Sequence, residues 1–276
     1  MTKPAVSVVI LTHNEEEKIG AALASVAWAD EILVADSAST DRTLEIAAQF
    51  GATVLQIPFT GFGALRQAAT AHARHPWVFS LDADERCPPV LRDEIFRTIA
   101  DPAAADAYLV PRLKAFLGRQ IRHGGWFPDY RQPQLFRRHA VTYRERDLVH
   151  EGYEVHGRLG RLRESLEQVP YRDLSEAIQK MDRYTSLNAQ QHHARGRRSG
   201  PLAAVAHGVW AFAKSYLFQR GFLDGQAGFV VALLRGENSV YKHLKLVEAA
   251  AAIVAPVPRR EKDSLLGRGK NLARAA

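Results

Sequence analysis

A short acidic cluster is the feature of this sequence that points most directly to a reaction. Residues 78–81 are mostly apolar and run directly into Asp82, Asp84 and Glu85. Side chains of an extended strand alternate between its faces, so Asp82 and Asp84 point the same way if the chain stays extended. Neighbouring carboxylates repel each other unless a cation lies between them, and such ligands suit Mg²⁺ or Mn²⁺ together with phosphate oxygens. The cluster therefore predicts a divalent metal that meets a diphosphate, with a solvated acidic turn as the alternative.

Strand-like and helix-like segments alternate along the residues that lead to this cluster. Apolar, β-branched runs predict strands at residues 6–11, 31–36, 53–57 and 77–81, and helical spacing predicts helices at residues 18–26, 43–50 and 62–74. Thr12 or Asn14 is expected to cap the first helix. The alternation predicts an α/β fold with a doubly wound, mostly parallel sheet.

Polar residues follow three of these strands, at the sheet edge where ligands bind in such folds. They are Thr12, Asn14 and Glu15 after the first strand, Asp36, Ser37 and Asp41 after the second, and Asp82 with Asp84 after the fourth. Neither the Gly-x-Gly-x-x-Gly pattern of dinucleotide sites nor the phosphate-loop lysine pattern follows the first strand. We therefore expect the phosphates of the ligand to be held through a metal rather than by a glycine loop.

These motifs together resemble the family 2 glycosyltransferases, which are inverting enzymes with the GT-A nucleotide-sugar-binding fold. The resemblance covers roughly residues 5–155 and rests on residues 7–10, 14–15, 34–37, 39–41 and 82–84. It implies a nucleoside site at Thr12, Asn14 and Glu15, with Asp36 reading the base or ribose and Ser37 and Asp41 beside it. It also implies that Arg66 approaches the diphosphate, and that Asp82, Ala83 and Asp84 bind metal and diphosphate while Glu85 supports them or is merely solvated.

A later stretch of the chain carries the residues expected to meet the acceptor. Two glycines precede Trp126 and allow the backbone to approach a flat sugar face, although a core aromatic beside a tight turn explains them equally well. Residues 124–151 read Gly-Gly-Trp-x-Pro-Asp, then Leu-Phe-Arg-Arg, then Val-His-Glu. This order resembles the branch of the family that adds glucose to the inner core of lipopolysaccharide, with UDP-glucose as the expected donor.

An inverting transfer needs one general base to deprotonate the acceptor hydroxyl. An acid at about this place in the chain is the base in the broader family, which favours Glu151 and leaves Asp129 as the second candidate. His150 either contacts the metal or the diphosphate or is a packed histidine.

Composition and charge narrow the class of protein and its surroundings. Cys87 is the one cysteine, which excludes a disulfide framework and fits a reducing compartment. We find no signal peptide and no segment near the ~20 apolar residues of a membrane-spanning helix. Residues 176–276 hold 16 Lys and Arg against 7 Asp and Glu, a net charge of +9, whereas residues 1–175 are nearly neutral. The rear of the chain is therefore expected to meet something anionic.

The rear third is predicted to be helical. Residues 174–193 have helical spacing, Pro201 is expected to open a second helix that ends at Gly221, and residues 226–234 form a third. The last two are apolar and flanked by basic residues, which fits an element lying on an anionic membrane or one packed on protein, including a second copy of the chain. The predicted organisation is a GT-A catalytic domain (residues 1–165), a helical membrane-proximal or oligomerisation region (166–255) and a basic mobile tail (256–276).

The sequence therefore predicts an inverting, metal-dependent enzyme at the cytoplasmic face of the cell membrane. It would move a sugar, with glucose expected from the resemblance, from a nucleotide-diphospho-sugar to a lipid-linked saccharide. A transferase that loads a sugar onto polyprenyl phosphate is the alternative. A non-enzymatic protein that binds anionic lipid or nucleic acid is the third hypothesis, but the basic residues match no nucleic-acid-binding module.

Overall fold

The computed structural model describes residues 4–144 and 152–251, and these contain strands β1–β13 and helices α1–α7. The strands are β1 (Val6–Thr12), β2 (Glu31–Asp36), β3 (Thr53–Gln56), β4 (Trp77–Asp82), β5 (Glu85–Arg86), β6 (Ala107–Leu109), β7 (Arg112–Phe116), β8 (Arg119–Ile121), β9 (Pro133–Arg137), β10 (Val141–Tyr143), β11 (Tyr153–Val155), β12 (Leu159–Arg161) and β13 (Leu166–Gln168). The helices are α1 (Ile19–Ser25), α2 (Thr43–Gln49), α3 (Phe62–Ala71), α4 (Pro89–Ala100), α5 (Leu174–Ala194), α6 (Pro201–Ala213) and α7 (Gly225–Ala251).

A seven-stranded sheet with the order β12-β6-β9-β4-β1-β2-β3 carries the predicted site. Strand β1 lies inside it and pairs in parallel with β2 and β4, and β2 pairs in parallel with β3. Strand β9 runs antiparallel between β4 and β6. The predicted α/β fold with a mostly parallel sheet is confirmed, and the carboxyl ends of β1, β2 and β4 lie side by side.

The alternating side chains of β1 explain why this sheet is covered on both faces. Val8 and Ile10 belong to a core cluster that includes Ile19 of α1 and Leu91 of α4. The intervening Val9 and Leu11 belong to a second cluster with Leu65 of α3. All seven residues of β1 are buried, as expected for a parallel strand between two layers of helices. The continuous apolar run in the sequence follows directly from this burial.

A four-stranded sheet and a two-stranded hairpin complete the front of the chain. The smaller sheet has the order β5-β13-β7-β8, and β10 pairs with β11. Between β9 and β10 the chain makes a turn, in which Ala140 N–H donates to Arg137 O. Strand β13 brings a residue of the later chain beside the acidic cluster, which follows β4.

The predicted cap of α1 is wrong. Thr12 is the last residue of β1, and the residue before α1 is Lys18, whose side chain makes no capping hydrogen bond. The Asn14 side chain instead accepts a hydrogen bond from Thr40 N–H at 2.8 Å. The first loop is therefore tied to the loop after β2 rather than to its own helix.

Among the rear helices, α7 is longer than the sequence indicated. Pro201 opens α6 as predicted, but α6 ends at Ala213 and is followed by a π-helix (Lys214–Phe218) and a 3₁₀-helix (Gly221–Asp224). Helix α7 continues to Ala251 instead of ending near residue 234. Gly208 explains part of this, because a Cβ there would lie 2.3 Å from Val240 and 3.1 Å from Gly236 O. Tertiary packing of this kind overrides the weak helix propensity of residues 236–239.

The chain divides into two compact units, one of residues 1–178 with 212–234 and the other of residues 179–211 with 235–276. Strand β13 belongs to the first unit, where it pairs with β7. The predicted domain boundaries at 165 and 255 stay predictions, and the predicted tail lies outside the described residues. Within residues 4–144 and 152–251, no helix is long and apolar enough to cross a membrane.

We expect Leu91→Ala to destabilise the first unit because Leu91 is fully buried between sheet and helix. Removing its side chain leaves a cavity, which costs about 2–5 kcal/mol of the free energy of unfolding. Val90→Ala is the matched control, since Val90 is 57% exposed on the same helix and should change stability by about 0.5 kcal/mol or less. Urea denaturation measures both, and equal losses would contradict the assigned core.

Candidate active site

The acidic cluster forms a tight turn at the end of β4. The strand ends at Asp82, and Ala83 and Asp84 form the turn before β5 begins at Glu85. Ala83 N–H donates to Leu11 O at 3.2 Å, and Val169 N–H donates to Asp84 O at 3.0 Å. The chain therefore does not stay extended here, and the condition under which Asp82 and Asp84 would share one strand face is not met. Each carboxylate has its own partners instead.

Asp82 is held by a buried arginine. Arg66 Nη2 lies 2.7 Å from Asp82 Oδ1, and the same guanidinium donates to the Ser80 hydroxyl. The Arg66 side chain is enclosed, whereas that of Asp82 is 34% exposed. Burial opposes the ionised form of Asp82, but the positive charges of Arg66 and Arg112 hold its pKa below the ordinary value. Asp82 therefore remains an anion at neutral pH, and Arg66 lies at the cluster; its approach to a diphosphate stays a prediction.

Asp84 faces a milder environment. Gln168 Nε2 in β13 lies 3.2 and 3.3 Å from the two carboxylate oxygens of Asp84, whose side chain is half-buried. Burial opposes the charged form of Lys18, but the hydrogen bond to Glu176 and the negative charges of its neighbours, including Asp84, raise the pKa of Lys18 above its ordinary value. Lys18 itself is bonded to Glu176 at 2.9 Å. Asp84 is thus a half-buried carboxylate with a neutral amide beside it.

Glu85 is fully buried and is not solvated, so that alternative from the sequence is wrong. It forms an ion pair with Arg112 in which neither side chain is exposed. Gln134 Nε2 donates to Glu85 Oε2 at 3.0 Å, and Asp82 N–H donates to the same oxygen at 3.0 Å. Burial raises the pKa of Glu85 while the Arg112 charge opposes the rise. Glu85 therefore anchors the turn from beneath and is not available to a ligand.

Asp129, the second candidate for the general base, lies between two cations. Lys114 Nζ is 2.6 Å and Arg131 Nε is 3.0 Å from Asp129 Oδ2. Although burial favours the protonated acid, these charges hold the pKa of Asp129 below its ordinary value. Burial lowers the pKa of Lys114 in turn. A carboxylate stabilised in this way is a weak proton acceptor.

Trp126 packs within the protein. Its ring lies 6.1 Å from the Phe116 ring, and Lys114 Nζ lies 5.4 Å from its centroid. The glycines before it admit a neighbouring segment of the chain, since Ser215 Oγ donates to Gly124 O at 3.0 Å and a Cβ on Gly125 would collide with Gln219. The glycine pair therefore serves packing, and contact of Trp126 with a sugar stays a prediction.

The loops after β1 and β2 hold each other in place. Ser39 Oγ accepts a hydrogen bond from Asn14 N–H at 2.9 Å, and Ser39 N–H donates to the buried Asp36 carboxylate at 3.0 Å. Asp41 accepts hydrogen bonds from Glu16 N–H and Thr43 N–H. These residues build one rigid edge, as their positions after the strands predicted, but Asp36 and Asp41 serve the loops themselves.

Two hydroxyls at this edge have unused hydrogen-bonding capacity. Thr12 Oγ1 and Ser37 Oγ are buried and have no hydrogen-bond partner among the described residues. Thr12 is the last residue of β1, and Ser37 directly follows β2. Buried polar atoms without partners are costly, so a bound ligand that supplied partners would be stabilised here. Glu15 is near as well, with its carboxylate 3.3 Å from Lys18 Nζ.

The donor set fits a divalent metal that is shared with a phosphate ligand. Within residues 4–144 and 152–251, no group of three acids, histidines or cysteines could enclose a metal ion. Mg²⁺ and Mn²⁺ sites that include substrate phosphates need only one or two carboxylates, however. Asp84 has the exposure and the neutral neighbour that such a ligand requires, whereas Asp82 is already paired with Arg66. His150 and Glu151 lie outside the described residues.

Three of the residues that shape this site have no motif to reveal them. Arg112, Gln134 and Gln168 come from β7, β9 and β13, respectively. The amino groups of Arg112, Nη1 and Nη2, are buried without a partner in the described part of the chain. The available signal was polar residues inside otherwise apolar strand segments, such as Gln134 beside Leu135 and Phe136. The site is an anion- and cation-lined edge of an α/β sheet, typical of proteins that bind nucleotides.

Comparison with known proteins defines the family. Residues 7–170 match the model of the family described as Glycosyl transferase family 2, so this chain belongs to the family 2 glycosyltransferases. The match confirms the resemblance drawn from the sequence, and with the observed sheet it confirms the GT-A type of α/β fold with C-terminal helices. The protein is accordingly a transferase of sugar groups.

Relatives resemble the chain over most of its length. It is 27% identical over 263 residues to the lipopolysaccharide core biosynthesis glycosyltransferase LpsC of Rhizobium meliloti, covering 87% of this chain and 94% of that protein. It is 25% identical over 240 residues to an uncharacterized glycosyltransferase of Rickettsia felis, covering 83% and 84%. A solved structure of Mycobacterium tuberculosis glucosyl-3-phosphoglycerate synthase with Mn²⁺, UDP and glucosyl-3-phosphoglycerate is 26% identical over 41% of this chain and 44% of that one, with a TM-score of 0.33.

We expect Glu85→Gln to lower the free energy of unfolding by about 3–5 kcal/mol, because it leaves the Arg112 charge buried without a counter-charge. The amide keeps nearly the same shape, so the loss reports charge rather than volume. Glu45→Gln is the matched control, since it breaks an exposed pair with Arg42 and should have little effect. Chemical denaturation distinguishes them, and an unchanged midpoint for Glu85→Gln would refute the anchoring role.

Proposed function

We propose that this family 2 enzyme is an inverting, metal-dependent glycosyltransferase. It moves a sugar, expected to be glucose, from a nucleotide-diphospho-sugar such as UDP-glucose to a lipid-linked saccharide. The observation that carries the proposal is the pairing of the ionised Asp82 with Arg66, beside the half-buried Asp84, at the carboxyl edge of the sheet. The anion Asp82, the cation Arg66 and the half-buried carboxylate of Asp84 suit a metal-bound diphosphate.

The residues of this edge divide the work of donor binding. Asp84 would hold Mg²⁺ or Mn²⁺, which offsets the charge that develops on the leaving diphosphate. Arg66 and Asp82 orient that group, while Ala83 leaves room beside it. Thr12 and Ser37 offer the unpartnered hydroxyls to the nucleoside, and the cross-linked loop set keeps their geometry rigid. That loop set consists of Asn14, Glu15, Asp36 and Asp41.

Acceptor activation is assigned to Glu151. A general base must take the proton of the attacking hydroxyl, and its efficiency depends on a pKa near the working pH. Asp129 is bound to Lys114 and Arg131, and its lowered pKa makes it a poor base. The position of Glu151 in the family order supports the assignment, and His150 next to it would contact the diphosphate or the metal. Asp129 then holds Lys114 against Trp126 on the acceptor side.

The acceptor is proposed to be a glycolipid, with the inner core of lipopolysaccharide as the preferred candidate. The similarity to LpsC supports this choice, as does the net charge of +9 in residues 176–276. Large apolar side chains are also exposed on the rear helices, among them Leu202 at 87%, Val209 at 64%, Trp210 at 57% and Phe218 at 68%. Such a combination suits peripheral attachment to the anionic inner face of the cell membrane, with a second copy of the chain as the other occupant.

Asp84→Asn should lower the rate of metal-dependent donor turnover by about 10²–10³-fold. Loss of one negative charge removes the metal ligand but not the fold, because Asp84 is half-buried beside a neutral glutamine. In a thermal-shift titration, the melting temperature of the wild-type protein should rise only when UDP and Mn²⁺ are both present. Asp93→Asn, at a half-exposed carboxylate on α4, is the control and should behave like the wild type. Full activity of Asp84→Asn would rule out the metal assignment.

Glu151→Gln should lower kcat by about 10²–10⁴-fold if the acceptor is a sugar hydroxyl, because no other group replaces the base. Asp129→Asn should retain more activity, since Asp129 is already neutralised by Lys114 and Arg131. Single-turnover transfer to a purified core glycolipid measures both. Retained activity of Glu151→Gln would favour transfer to a polyprenyl phosphate, whose acceptor oxygen needs little help from a base.

A further inference from the structure

Three helices of the second unit each carry a histidine, and two of these histidines are in contact. His192 lies near the end of α5, His207 on α6 and His243 on α7. The rings of His207 and His243 stack with centroids 4.4 Å apart and planes inclined by only 6°. Ser199 Oγ lies 3.0 Å from His243 Nδ1. These imidazoles take no part in the proposed catalytic edge.

Two glycines make this arrangement possible. Gly208 allows α6 and α7 to approach so closely that a Cβ there would collide with Val240, which fixes the neighbouring His207 against His243. Gly196 has φ of +71° and ends α5, a conformation that favours glycine. The turn returns the chain over the helix end, where Arg197 N–H donates to His192 O at 3.0 Å. Backbone packing therefore stacks His207 on His243 and places the backbone of Arg197 against that of His192.

The cluster is rich in positive charge. Arg195, Arg197 and Lys242 add their charges to the effect of burial in lowering the pKa of His192. Burial likewise lowers the pKa of His243, together with Lys242, His207 and His192. In the described ranges, no carboxylate forms an ion pair with Arg195, Arg197 or Lys242. Lys245, on the same helix, differs because it is paired with Asp182 at 2.6 Å.

A set of like charges held together by packing is destabilising until an anion neutralises it. Guanidinium, ammonium and protonated imidazole groups donate hydrogen bonds and accept none, which matches the oxygens of a phosphate group. A phosphate dianion would also offset the positive charges that, together with burial, lower the pKa of His192 and His243. Binding should then be accompanied by proton uptake and should strengthen as the pH falls through the imidazole range.

We propose that His192, Arg197, His207, Lys242 and His243 form a binding site for a phosphomonoester. The ligand is either free phosphate or a phosphate carried by a lipid headgroup. The second source rests on the proposed function, because a glycolipid acceptor at an anionic membrane would present such groups to the enzyme. The site would then anchor the acceptor surface through charge.

The test uses the full-length protein and two probes. Inorganic phosphate is titrated calorimetrically at about pH 6 and about pH 8, on either side of the ordinary imidazole pKa. Phosphatidylcholine vesicles containing phosphatidic acid are compared with vesicles that contain phosphatidylserine at equal surface charge. We expect saturable binding that is tighter at the lower pH, and a preference for phosphatidic acid if a lipid is the source. Saturation by inorganic phosphate alone assigns the site to free phosphate.

The variants compare two lysines of one helix. Lys242→Gln and His192→Asn should each weaken binding by at least about tenfold, or ~1.4 kcal/mol. Lys245→Gln removes the same charge from the paired lysine and should change binding by less than about twofold. Equal weakening by both lysine variants, or no saturable binding of either probe, would overturn the site. Metal-dependent donor hydrolysis by the wild type, measured in parallel, tests the proposed function separately.

Discussion

A buried ion pair between Glu85 and Arg112 is the constraint on which the catalytic edge depends. Neither side chain is exposed, so each charge requires the other, and removing water from both is costly. Glu85 also accepts the backbone N–H of Asp82, which places the start of the acidic turn directly on this pair. Burial opposes the ionised form of Asp82, but the charge of Arg66 and, to a smaller extent, that of Arg112 lower the pKa of Asp82. The turn is therefore fixed in shape and charge before any ligand arrives.

In the rest of the edge, most polar groups form hydrogen bonds with one another, and a few polar atoms are left for a ligand. The loops after β1 and β2 use Asn14, Asp36 and Asp41 for internal hydrogen bonds. Thr12 and Ser37 keep hydroxyls without a partner among the described residues. A rigid frame with a small number of free donors and acceptors lowers the entropy cost of binding a flexible nucleotide sugar.

The second unit combines features that a soluble core alone would not need. Its helices expose large apolar side chains and gather imidazole and basic groups around His192 and His243. Apolar contact and positive charge act on different parts of a membrane, the acyl boundary and the phosphate layer. The proposed transfer to a membrane glycolipid would gain from both, because attachment would keep the enzyme near its acceptor.

The sequence by itself determined the positions of the first four strands and of the acidic residues at the end of β4. Alternating strand and helix patterns located β1 to β4, and the acids after β4 marked the edge, because hydrophobic period and strand-end polarity are local properties. It did not reveal that Glu85 is buried, that Asp129 is neutralised, or that α7 continues to Ala251. Each of these depends on residues distant in sequence, namely Arg112, Lys114 and the helix contact at Gly208. Only the tertiary structure decided them, because the environment of a charge and the length of a marginal helix are set by what packs against them.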